Sequence, residues 1–125
     1  MPSKYHARKI TRNGITFDSQ KEYRRFCELS LLQRAGAITE LKHQVPFELI
    51  PAQYETYERY GKNGNRLKDG QRCVEKAITY IADFSYIEDG KLVVEDVKSE
   101  ATRTKDFIIK RKLMLYFHKI KIRET

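Results

Sequence analysis

Apolar and polar positions alternate most clearly over residues 77–98, AITYIADFSYIEDGKLVVEDVK. Two runs rich in β-branched and aromatic residues, 77–87 and 91–97, flank Asp89-Gly90, a dipeptide suited to a two-residue hairpin turn. With those two residues as the loop, Glu88 faces Lys91, and counting back along both strands brings Asp83 directly opposite Asp96. A side-chain period of two then puts Asp83, Asp96 and Lys98 on one face and Glu95 and Val97 on the other. Glu95 is expected to partner surface lysines.

Around this hairpin the pattern predicts an α/β chain. Residues 10–11 and 15–17 flank Asn13-Gly14 and read as a short hairpin. Asp18-Ser19 caps a helix over 20–34, with Tyr23, Phe26, Cys27 and Leu31 as its buried stripe and Gly36 as its stop. Residues 38–43 and 46–51 read as two short strands, the second at an edge because prolines bound it. His43 and Gln44 fall between these strands, solvated, capping the backbone or touching a ligand. Over 52–75 the pattern weakens into a surface excursion that an extended hairpin would satisfy. Its tyrosines, Tyr54, Tyr57 and Tyr60, either stack on bases, pack on the core or form a dimer contact. Thr104 caps a second helix running to about residue 117, with Phe107, Met114 and Phe117 buried. Residues 120–124 supply a last strand, parallel to the hairpin's second strand because a helical crossover permits it.

The opposed acids are what a hairpin built only for stability would avoid. Directly paired residues have Cβ atoms about 5 Å apart, and like charges there repel. A divalent cation removes the repulsion, since Mg²⁺ takes oxygen ligands and is held by one or two carboxylates together with phosphate oxygens. Lys98 then stands one residue away as a compact positive charge.

An acid on one strand followed about a dozen positions later by Asp96-Val97-Lys98 resembles the core of the PD-(D/E)XK nuclease superfamily. The wording YIADFSY and VVEDVKS, preceded by GITFDSQKE and FELIP, is similar to a small phage-encoded branch of it. The resemblance implies a restriction-endonuclease-like fold, a central mixed sheet flanked by two helices. It also implies a metal-dependent DNA endonuclease using Mg²⁺ or Mn²⁺. Asp83, Asp96 and the Val97 carbonyl would be the metal ligands, and Lys98 would orient water or stabilise the transition state. Glu22 would be the additional acid from the first helix, although Ser19-Gln20-Lys21-Glu22 equally fits a capping box. The implied substrate is branched DNA such as a Holliday junction, cut by a homodimer. A DNA-binding or nuclease-inhibiting protein that keeps the fold without hydrolysis is the alternative.

Composition narrows the partners. The chain has 125 residues, enough for one domain, and a formal charge of +8 with a pI near 9.5, which points to an acidic polymer. The basic arm 1–9, with Lys4, Arg8 and Lys9, then Arg66 and Lys68 in the excursion and Lys105 and Lys112 on the second helix, are the expected phosphate contacts. No run is long and apolar enough for a membrane span, and the amino terminus lacks a signal-peptide core, so a cytoplasmic protein is expected. Cys27 and Cys73 are isolated and support neither zinc nor a disulfide; Cys27 is expected in the core.

Overall fold

The computed structural model describes residues 8–99 and 101–125; Lys4 and the rest of the arm before Arg8 lie outside the described residues. A mixed four-stranded sheet flanked by two helices forms the body. Its strands are β3 (Thr39–Ile50), β6 (Ile78–Glu88), β7 (Lys91–Asp96) and β8 (Arg123–Glu124), in the order β3-β6-β7-β8. The first three are antiparallel and β8 runs parallel to β7. The helices are α1 (Gln20–Arg34) and α2 (Lys105–Leu113), capped by the side chains of Ser19 and Thr104. Two small hairpins stand outside the main sheet. One pairs β1 (Ile10–Arg12) with β2 (Ile15–Phe17), and the other pairs β4 (Gln53–Tyr57) with β5 (Gly70–Glu75).

The central hairpin has the register its turn dictates. Asp89 and Gly90 both take positive φ, 51° and 75°, as a twist-matched two-residue turn requires. Glu88 pairs with Lys91 and Phe84 with Glu95, so the next step in register sets Asp83 against Asp96.

Residues 38–51 depart from expectation, because the two predicted short strands are one strand, β3, at the sheet edge. The polar pair His43-Gln44 is not a turn. His43 pairs with Phe84 and Val45 with Ala82, which leaves Gln44 across from Asp83 with a left-handed φ of 57°. The alternation of faces breaks at this level. Phe47, Leu49, Tyr80 and Ala82 pack with Phe107 and Met114 beneath α2, whereas Leu41, Phe84 and Tyr86 pack with Leu29 of α1. One pair of strands therefore feeds two cores, and the crossover falls at Gln44 and Asp83.

Both helices keep part of the expected stripe inward, Tyr23 and Phe26 on α1 and Phe107 and Met114 on the second, and lose the rest. Glu22 and Leu29 are the buried residues of α1, while Leu31 is 61% exposed and Cys27 also faces outward. The helix is rotated because Glu22 and Arg25 reach polar partners on the sheet, described below. The second helix changes pitch at Met114–His118, a π-helical turn, and that widening carries Phe117 out of phase, leaving it exposed although Phe107 and Met114 are buried. No helix among the described residues is long and apolar enough to cross a membrane.

Candidate active site

Four ionisable groups singled out in the sequence converge on one cleft of about 440 Å³: Glu22 from α1, Asp83 from β6, and Asp96 and Lys98 from β7 and its continuation. Asp83 is fixed by the main chain, since its Oδ2 accepts from the Val97 N–H at 2.8 Å. Asp96 is 3% exposed, and its Oδ2 accepts from the Tyr80 hydroxyl at 2.6 Å. Lys98 Nζ lies 3.4 Å from the same oxygen and 4.2 Å from the centre of the Phe107 ring. The ring under Lys98 and the carboxylate beside it hold the ammonium at the cleft wall instead of in solvent.

Glu22 takes part in the helix end and also lines the cleft. Its N–H donates to the Ser19 hydroxyl at 3.1 Å, and its Oε2 accepts from the Asp18 N–H at 2.8 Å, one residue before the cap. Its Oε1 accepts from Gln44 Nε2 at 2.9 Å and lies 2.7 Å from His43 Nε2. The His43 ring packs against Phe17 and Phe84, so its position is set by the core. Glu22 is thus 1% exposed yet lines the cleft, held by a helix end on one side and β3 on the other.

The electrostatics of the cleft are unbalanced. Burial pushes the Asp83 carboxyl up to about 9, helped by its hydrogen bond to Asp96 and the negative charges of Asp96 and Glu22, and opposed by the Val97 amide. Tyr80 is raised as well, by burial and then by Asp96, and so stays a protonated donor. The donor set is all oxygen. Ligand oxygens of Asp18, Glu22 and Asp83 lie within 4.8 Å of one another, a spacing that can hold a hard cation. Of the expected ligands, Asp83 belongs to this cluster and Asp96 is engaged by Tyr80 and Lys98, while Asp18 stands beside Asp83 and Glu22.

Asp18 was read from the sequence only as part of a cap, and its approach to Asp83 depends on the end of β2 meeting the sheet. The signal that could have found it is its place in FDSQKE, four residues before Glu22. Glu95 overturns the expectation of a surface partner. It is fully buried on the opposite face, where Arg25 forks onto it with bonds of 2.6 and 2.9 Å and Tyr86 donates at 2.7 Å.

The expected phosphate contacts are dispersed. Arg8 and Lys9, with Arg12 and Lys21, line a second groove of about 640 Å³ that shares Ser19, Val97 and Thr102 with the acidic cleft. Lys21 also donates to the Lys98 carbonyl at 2.6 Å. Lys105 and Lys112 are exposed on α2, and Lys110 reaches the cleft rim beside Asp106. Arg66 is tied to Asp69 at 2.6 Å, and Lys68 is exposed near it.

Neither a curated protein nor a solved structure matches this chain. A sequence profile does match it from residue 2 to residue 124, and by that match the chain belongs to the family described as "Protein of unknown function (DUF1064)".

Proposed function

We propose that the chain is a metal-dependent DNA endonuclease of the PD-(D/E)XK type. The observation that carries this reading is the convergence of Glu22, Asp83, Asp96 and Lys98 on one cleft, which shares lining residues with a groove lined by Arg8, Lys9, Arg12 and Lys21. A phosphodiester backbone needs both: cations along its path and a cluster of oxygen donors at the bond to be cut.

The donor chemistry fits Mg²⁺ or Mn²⁺, because burial and then the neighbouring carboxylates raise Asp83, and a hard cation relieves the crowding of those oxygens. When bound, the ion would supply a water of lowered pKa and charge opposite the phosphate oxygens. Asp83, Asp96 and Glu22, with Asp18 and the Val97 carbonyl beside them, are the groups that would hold it. Tyr80 keeps Asp96 oriented through its 2.6 Å hydrogen bond, and His43 and Gln44 do the same for Glu22. Lys98 presents a fixed ammonium where negative charge grows on the phosphate, a preorganised interaction worth on the order of 3 kcal/mol at comparable sites. The basic groove supplies affinity that falls steeply with salt.

Incubation of supercoiled plasmid and four-way-junction DNA with Mg²⁺, Mn²⁺ or EDTA tests the reading. Nicked or linear products with either metal and none in EDTA are expected, with Lys98→Ala binding DNA normally and failing to cut. Binding without cleavage under every metal would leave a DNA-binding protein on a nuclease-like scaffold.

A further inference from the structure

The β4–β5 hairpin forms a two-stranded sheet of its own, separate from the main sheet. Every residue of β4 is exposed, and so is every residue of β5 except Gly70. A lone two-stranded ribbon is marginal in water, yet this arm is braced along one face. The Tyr57 ring lies where a Cβ on Gly70 would stand. The Arg72 guanidinium sits 4.6 Å over the same ring and pairs with Glu55 at 3.1 Å. At the end of the arm Tyr60 bridges to Arg66, and the Gly61 N–H donates to the Asn65 carbonyl at 2.8 Å.

Charge is sorted along this arm. Its acids lie outside the tip: Glu75 stands at the root, Glu55 pairs with Arg72, Glu58 accepts from the Tyr60 hydroxyl at 2.6 Å, and Asp69 pairs with Arg66. Residues 59–68 carry Arg59, Lys62, Arg66 and Lys68 and no acid. Among them Tyr60 is 56% exposed. An open ring between cations is complementary to a nucleic-acid strand with unpaired bases, because the base can stack on the ring while its phosphates meet Lys and Arg. Continuous duplex hides its base faces and offers the ring nothing.

The arm is rooted beside the cleft. It returns to β6 at Ile78, and the cleft lining begins at Thr79. From this root at Ile78 to Asp83 the strand rises roughly 17 Å at ~3.3 Å per residue, and Tyr60 stands at the other end of the arm, beyond β5.

We propose that this arm reads unpaired DNA outside the cleft, with Tyr60 stacking on an exposed base and Arg59, Lys62 and Lys68 meeting its phosphates. The inference rests on the DNA reading above and sharpens it: the substrate class is forked or gapped DNA, preferred over continuous duplex.

Fluorescence anisotropy in EDTA, where cleavage is not required, tests it with a forked duplex and a blunt duplex of equal length. The wild-type chain is expected to bind the fork about tenfold more tightly. Tyr60→Ala should lose about tenfold on the fork and nothing on the duplex, and Tyr60→Phe, which keeps the ring, should restore the preference. Equal binding of fork and duplex by the wild type overturns the proposal, as does Tyr60→Ala binding the fork normally or losing both DNAs equally. A change in sedimentation with unchanged DNA affinity would overturn it too, in favour of a contact between copies. Fork discrimination without cleavage in Mg²⁺ would remove the nuclease reading and leave this one; cleavage without discrimination would do the reverse.

Discussion

Consecutive residues of β7 carry two buried acids that the fold treats in opposite ways. Glu95 faces α1 and is saturated, with a forked arginine, the Tyr86 hydroxyl and the Thr125 hydroxyl all on its carboxylate. Burial alone would raise it, but these donors outweigh burial and hold it below the usual carboxylate range. Asp96 faces the cleft with one tyrosine hydroxyl and one lysine, and its neighbour Asp83 is driven up to about 9. The two faces differ in the positive charge the chain itself provides. Where the pairing is complete the acid is a structural strut; where it is short, a cation from outside would complete it in the proposed nuclease.

The largest expected effect separates the faces by function. Asp96→Ala should lower metal-dependent cleavage by on the order of 10³-fold while the chain stays folded, losing no more stability than the roughly 1–3 kcal/mol of leaving the Tyr80 hydroxyl unpaired. Calorimetry and a plasmid-nicking assay on the same sample check this, and an unfolded Asp96→Ala chain would erase the distinction. Next in size, Glu95→Ala strands Arg25 against the sheet and should cost about 3 kcal/mol of stability, read from urea denaturation. A Glu95→Ala chain as stable as wild type would mean that the strut carries no weight.

The contrast is sharpened further through pH. Asp83 has a folded value raised above its unfolded one, so the native state binds more protons in the interval between them, and stability falls as pH rises from about 4 toward 9. Glu95 works the other way, contributing stability above its unfolded value that is lost as pH falls. Thermal midpoints in EDTA should therefore decline between pH 5 and 9, Mg²⁺ should flatten the decline, and Asp83→Asn should abolish it. A decline untouched by Asp83→Asn would assign the pH dependence elsewhere.

What was legible in the sequence was whatever short-range geometry controls. A two-residue turn fixes register, so Asp83 could be set against Asp96 by counting, and Ser19 and Thr104 announced their helices by the hydrogen bonds that only cap residues make. The long-range pairings were not legible. Asp18 nears Asp83 only because β2 delivers it there, and His43 and Gln44 looked like a turn because polar residues inside a strand make sense only once Glu22 is known to lie beneath them. The outward rotation of Cys27 and Leu31 has the same origin, since an apolar stripe in a sequence cannot show that a glutamate and an arginine outbid it for the sheet. Phe117 was lost to a change of helical pitch, which periodicity at 3.6 residues assumes away.

Gln44 has a consequence for how freely this position could vary. Its backbone sits at φ 57°, a region that costs a side-chain-bearing residue about 1 kcal/mol and costs glycine little. Its amide, however, is one of three groups steadying the Glu22 carboxylate. Glycine would make the strand more comfortable and the carboxylate looser, so at this one residue durability and aim pull in opposite directions.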